Sequence, residues 1–232
     1  MTSRYAIYFT PRETTNLWRA GCRWLGRDPC AGTRLAQPEV EGWSAERISE
    51  ITAAPRLYGF HATLKAPFAL AEGRSAGTLA DAVEKLAARS QAFALPQLTL
   101  AILDGFLALQ PLAGSTAKLG ELADACVIEL DAFRKAPSVA ELARRRAAGL
   151  SARQEQLLVQ FGYPFVLDQF RFHMTLTERL PRADAIRLTP WLTQYFTTAL
   201  ASPPRCDAIC LFVQQRPTEE FLLMQRFALD TA

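Results

Sequence analysis

The sequence predicts an α+β fold of two pseudo-symmetric lobes, with antiparallel sheets facing a central cleft and helices outside. Three observations predict it. Short runs rich in aromatic and β-branched residues alternate with segments of helical periodicity along all 232 residues. The elements occur twice in one order: a histidine-bearing strand, a helix, then two adjacent strands. The spacing also matches, with 36 residues from His61 to Gln97 and 33 from His173 to Cys206, as an internal duplication requires.

Each element has a local reason. Arg4 to Thr10 (RYAIYFT) reads as a strand stopped by Pro11. Thr14 to Leu25 has helical spacing and ends at Gly26, and residues 27–47 read as a loop punctuated by Pro29, Gly32, Pro38 and Gly42. Leu57 to Pro67 reads as a strand and Ala76 to Ser90 as an amphipathic helix. Gln97 to Leu103 and Phe106 to Leu112 are strands joined at Asp104-Gly105, a strong hairpin signal. Helices are expected over Ala117 to Arg134, Glu141 to Ala148 and Ser151 to Phe161, the last with Ser151 and Gln154 spaced as a capping box. Phe165 to Thr177 reads as strand, Ala183 to Leu200 as helix, and Cys206 to Gln214 with Phe221 to Leu229 as a final strand pair. The whole is expected to be a single bilobal domain: an N-terminal lobe over 1–114, a helical insertion over 115–162 and a C-terminal lobe over 163–232.

Composition narrows the function classes. Half the residues are hydrophobic and 21% are charged, an ordinary globular balance. No apolar run approaches the length of a membrane span, and Met1 to Pro11 does not read as a signal peptide, so a cytoplasmic protein without a membrane partner is expected. The net charge of +3 shows no polycationic tail; it disfavours nucleic acid as partner without excluding it. Basic residues are 22 Arg and four Lys. The triplet Arg144 to Arg146 reads as a solvated helix face. Five cysteines (22, 30, 126, 206 and 210) with no CxxC pairing suggest reduced thiols. With only two histidines, neither a metal nor a cofactor is expected.

Those two histidines sit in one repeated frame. Phe60-His61-Ala62-Thr63-Leu64 matches Phe172-His173-Met174-Thr175-Leu176. On a strand alternate residues share a face, so His61, Thr63 and Lys65 point one way, and Arg171, His173 and Thr175 do the same in the second copy. A polar strand face inside a fold is costly unless it lines a wet cleft or binds something. Paired imidazoles, hydroxyls and permanent cations suit a phosphate. One ring can take a proton while the other gives one. Thr63 and Thr175 can donate to non-bridging oxygens, and Lys65 and Arg171 can offset their charge. Arg56 and Tyr58 lie just upstream of His61 and are further candidate contacts, with strand parity placing Tyr58 on the apolar side.

The paired His-x-Thr-Leu strands, the duplicated order and the length resemble the 2H phosphoesterase superfamily of LigT-like enzymes. More narrowly, the stretches from Tyr58 to Phe68 and from Phe170 to Leu176, with the opening RYAIYFTP, are similar to the branch encoded in bacterial phosphonate-utilisation operons. That resemblance implies a bilobal fold, His61 and His173 as the catalytic pair, Thr63 and Thr175 as phosphate contacts, and no metal. The expected activity is hydrolysis of a small cyclic phosphodiester, such as a ribose 1,2-cyclic phosphate, with His173 as base and His61 as acid. The alternatives are an RNA-end 2′,3′-cyclic phosphodiesterase or 2′–5′ RNA ligase-like enzyme, and a non-catalytic sensor of a nucleotide or phosphosugar. The oligomeric state is left open.

Overall fold

The computed structural model describes residues 3–112, 116–147 and 149–231. The chain opens with β1 (Arg4–Phe9) and α1 (Asn16–Leu25), then a small ribbon of β2 (Arg27–Asp28) and β3 (Thr33–Arg34). Helices α2 (Ala45–Ile51) and α3 (Ala53–Tyr58) lead into β4 (Ala62–Ala69), α4 (Ala76–Ala88) and β5 (Phe93–Ala94). The hairpin of β6 (Leu98–Leu103) and β7 (Phe106–Pro111) comes next, then α5 (Ala117–Glu129), α6 (Val139–Arg146) and α7 (Ala152–Phe161). The chain finishes with β8 (Met174–Thr175), α8 (Arg182–Phe196), β9 (Arg205–Cys206), β10 (Ala208–Gln214) and β11 (Leu222–Ala228).

The fold is α+β, built on one seven-stranded antiparallel sheet in the order β11-β10-β1-β4-β8-β7-β6. This corrects the expectation of two sheets facing each other. The two motif strands pair directly, Ala62 opposite Met174, and so fuse what would be separate sheets at their centre. Ala62 and Met174 are the residues that follow the two histidines. The β5–β9 pairing repeats the relation: Phe93 pairs with Cys206 and Ala94 with Arg205. Phe93 and Arg205 each lie 32 residues beyond their own histidine, Ala94 and Cys206 each 33. Both registers are therefore the ones that a twofold axis between the repeats imposes.

The main core lies on one face of the sheet. Phe60, Ala62, Leu64, Phe172, Met174 and Leu176 join it together with residues of α1, α4, α5 and α8. A smaller cluster of Ala6, Tyr8, Cys210, Phe212 and Phe221 occupies the other face. Strand β1 therefore buries both faces, with Ile7 and Phe9 in the main core and Ala6 and Tyr8 behind them. Local chemistry sets the element ends. Thr15 caps α1, and reciprocal capping boxes start α4 at Ser75, α6 at Ser138 and α7 at Ser151. The β6–β7 turn has positive φ at both Asp104 and Gly105, as a tight primed turn demands. Among the described residues no helix is long and apolar enough to cross a membrane.

Two expected strands are shorter than the pattern suggested. Residues 53–58 form α3 rather than the start of a strand, because Pro55 falls in the first helical turn, where its missing N–H costs nothing. Gly59, at φ 81°, then ends the helix; a Cβ there would lie 2.8 Å from Pro29. In the second repeat only Met174–Thr175 is strand. Val166 instead packs with Leu157 and Phe161 of α7, and Leu167–Gln169 closes a 3-10 turn. Within 27–47 the expected loop holds the β2–β3 ribbon. The expected boundary between 114 and 115, and the end of the expected helix at Ala148, lie outside the described residues.

Candidate active site

His61 and His173 immediately precede β4 and β8. The Ala62–Met174 pairing carries His61 to the level of Thr175 and His173 to the level of Thr63. The two His-x-Thr motifs thus form one antiparallel His–Thr–Thr–His square, on the face opposite the main core. The rings are held alike. His61 Nδ1–H donates to the Gly59 carbonyl and His173 Nδ1–H to the Arg171 carbonyl, both at 2.8 Å. A carbonyl can only accept, so each neutral ring carries its proton on Nδ1 and presents Nε2 as an acceptor. The Thr63 hydroxyl lies 3.2 Å from His61 Nε2 and donates to it.

The surroundings differ. His61 is stacked on Tyr8, ring centroids 3.7 Å apart, and Tyr58 lies 6.2 Å away. Burial, with a smaller electrostatic contribution from His173, outweighs the Gly59 hydrogen bond and pushes the His61 pKa down to about 4. At that pKa the His61 ring is neutral at pH 7. His173 is less enclosed, with Phe106 tilted at 5.7 Å.

The other expected residues divide. Lys65, expected on the face of His61, follows a register shift that sets Thr63 opposite Tyr8 but Lys65 opposite Ile7, and it is only 4% exposed. Its Nζ donates to the Val127 carbonyl at 2.9 Å, in the last turn of α5, and pairs with Asp131 at 3.3 Å. Burial lowers its pKa to about 8, the facing Asp131 notwithstanding. The expected phosphate ligand is thus a clamp on a helix C-terminus. Arg56 is likewise spent inside the protein: its guanidinium donates to the Leu25 and Ser49 carbonyls, Thr52 Oγ1 and Gln37 Oε1. Tyr58, expected on the apolar side of a strand, ends α3 and stacks on Phe221 beside His61. Arg171 is exposed and makes no ion pair among the described residues.

Sequence reasoning missed Tyr8, which stacks on His61 and was legible only as a core aromatic. Among the described residues no three His, Cys, Asp or Glu side chains gather to hold a metal.

The model of a family described as "Protein of unknown function (DUF1045)" matches residues 63–222. A protein of Janthinobacterium sp. (strain Marseille) named ribose 1,5-bisphosphate phosphokinase PhnN is 40% identical over 228 residues, covering 97% of this chain and 50% of that protein. One of the same name from Laribacter hongkongensis (strain HLHK9) is 39% identical over 223 residues, covering 95% and 50%. The chain spans about half the length of these curated relatives. The structure is similar to E. coli LigT complexed with 3′-AMP, with a TM-score of 0.45 and 13% identity over 100% of both chains. A structure titled as a phosphoesterase gives a TM-score of 0.44 and 12% identity, again over 100% of both.

These relatives correct the expected activity. Their name is that of a phosphokinase, a transferase, and not of an enzyme that opens a cyclic phosphodiester with water. Two imidazoles facing a phosphate specify proton transfer at its oxygens. They do not specify whether water or another group attacks phosphorus, and the sequence argument could not separate the two.

Proposed function

The chain belongs to the DUF1045 family, and we propose that it is the phosphosugar-handling part of a phosphoryl-transfer enzyme, holding a phosphorylated ribose across His61, Thr63, His173 and Thr175. The observation that carries this reading is the register. It gathers two ring Nε2 atoms and two hydroxyls on one sheet face, with the Thr63 hydroxyl already bonded to one of the rings. The ligand class, a ribose bisphosphate, comes from the name of the longer relatives. The nucleotide half of a kinase reaction is not assigned to this chain. Its four lysines follow Leu64, Glu84, Ala117 and Arg134, so it carries no Gly-Lys-Ser/Thr phosphate loop.

In this reading neutral His61 accepts the proton of the bound sugar's attacking oxygen as that oxygen bonds to the phosphorus of a phosphoryl donor held outside this chain, whose leaving oxygen departs with the electron pair of the broken P–O bond. His173 receives the incoming anion from the more open side and, once protonated, donates to a phosphate oxygen. Thr63 and Thr175 donate to the remaining oxygens, and a seated phosphate stabilises the protonated form of both rings. The test is titration with ribose 5-phosphate and ribose 1,5-bisphosphate, followed by calorimetry and by the ring proton resonances of the only two histidines. Saturable binding that moves both sets of resonances is expected. Absence of binding at millimolar concentration, or binding that moves neither histidine, would overturn the reading.

A further inference from the structure

We infer that Tyr8 is a positioning residue of this site: its ring fixes the plane of the His61 imidazole, and with it the direction in which Nε2 meets a ligand. This rests on the reading above and adds how one of its two histidines is held.

The need comes from the histidine itself. The torsion that turns an imidazole about its Cβ–Cγ bond has broad wells, so the plane of the ring is set by its neighbours. The Nε2 lone pair lies in that plane, and a hydrogen bond or proton is accepted along it. One neighbour is the Gly59 carbonyl, 2.8 Å from Nδ1. A single hydrogen bond at one edge still lets the ring swing about it, and a restraint on the ring face completes the hold.

Tyr8 supplies that restraint. The two rings stack with centroids 3.7 Å apart and planes 27° from parallel. The register accounts for the contact. Tyr8 lies opposite Thr63 across the β1–β4 pairing, so its side chain leaves the sheet on the face of the His-x-Thr motif. Tyr8 is itself packed in place. It is fully buried with Ala6, Cys210, Phe212 and Phe221, and the rings of Phe212 and Phe221 lie 5.0 and 6.3 Å from its own. A close-packed cluster does not yield to a turning imidazole.

The hold works through the flat face of the ring. The Tyr8 hydroxyl has no hydrogen-bond partner among the described residues, so no polar contact within the protein depends on it. His173 is the contrast within the same molecule. It keeps the carbonyl bond, 2.8 Å to Arg171, but its aromatic neighbour Phe106 is 5.7 Å away and tilted by 52°. Tyr8 also keeps water from one face of His61, in keeping with its pKa of about 4. Of the other titratable groups beside His61, Tyr58 is 6.2 Å away and His173 contributes electrostatically, and both are kept in the variants below.

The test follows the ring protons of the two histidines by NMR across the acid and alkaline range in wild type, Tyr8→Phe and Tyr8→Leu, with and without ribose 1,5-bisphosphate. In alkaline solution the wild-type His61 protons should lie upfield of those of His173, because they sit over the Tyr8 face. Tyr8→Phe keeps the face and should leave that shift, the His61 titration and its response to the sugar as in wild type. Tyr8→Leu should abolish the upfield shift and move the His61 midpoint from about 4 towards 6.5. It should also remove the sugar's effect on His61 while the effect on His173 persists. A Tyr8→Leu protein whose His61 titrates as in wild type and still answers the sugar overturns the inference. So does an equal change in Tyr8→Phe, which would place the effect in the hydroxyl. Should Tyr8→Leu not fold, wild type decides: His61 protons without the upfield shift overturn the stack, and their presence upfield supports it. Wild type in which the shift is present but the sugar moves neither histidine overturns the reading of the site, and the positioning role with it.

Discussion

The two repeats carry the same motif in different surroundings. Each histidine bonds the carbonyl two residues back at 2.8 Å, and each is followed by a threonine on the same face. Yet His61 lies against Tyr8 and is held neutral, whereas His173 precedes a two-residue strand near Phe106. Strand β1, which has no copy in the second repeat, supplies Tyr8 and makes the difference. The lesson is that duplication delivers the ring and its tautomer, and the unrepeated elements decide what packs against it.

The largest effect should come from breaking the pair. His61→Ala and His173→Ala should each lower consumption of phosphorylated ribose by about 10²–10⁴-fold, followed by phosphorus NMR. The double variant should be little worse than the worse single, because the two act on one step. Near-full activity in either single would leave one repeat without a chemical role.

Next in size is Lys65→Met. Loss of the bond to Val127 should cost about 1–3 kcal/mol in urea denaturation, with sugar affinity nearly unchanged. The second repeat has Thr177 at the matching position, and its hydroxyl accepts from the Leu107 N–H. Loss of affinity at unchanged stability would return Lys65 to the ligand site and make the two positions functionally alike.

The pH dependence sharpens the contrast at His61. Its folded pKa of about 4 lies below the ordinary value of 6.5. As pH falls through that interval the unfolded chain takes up a proton that the folded chain refuses, so stability drops from pH 6.5 towards 4. His61→Phe should flatten that part of the Tm profile. An unchanged slope would mean that Tyr8 and burial do not hold the ring neutral.

The smallest effect is expected at the threonines. Thr63→Val and Thr175→Val should each reduce turnover about three- to tenfold, the value of one neutral hydrogen bond. A much larger loss at one of them would show that the square is lopsided.

The repeated pentapeptide made the histidines, the threonines and the order of elements legible, because period-two alternation and matched spacing are sequence properties. The Asp104-Gly105 turn and the Ser151 cap were legible for the same reason: each depends on residues within one turn. The single sheet was not, since the Ala62–Met174 pairing joins strands 112 residues apart and alternation does not say which strands are neighbours. Lys65 and Arg56 looked like ligands because a cation near a histidine has the same letters whether it faces a phosphate or a carbonyl.

The place of β1 in the sheet also has a kinetic side. It pairs with β4, soon after it in the chain, and with β10, where Ile7 meets Leu211. During synthesis one edge of β1, with Ala6, Ile7, Tyr8 and Phe9 destined for full burial, waits for almost the whole chain to emerge. The hairpin β6–β7 waits likewise for β8. Such distant pairings make for slow folding and a long exposure of sticky edges. The strand that lies against His61 is thus an early strand whose second edge stays unpaired until residues 208–214 have been made.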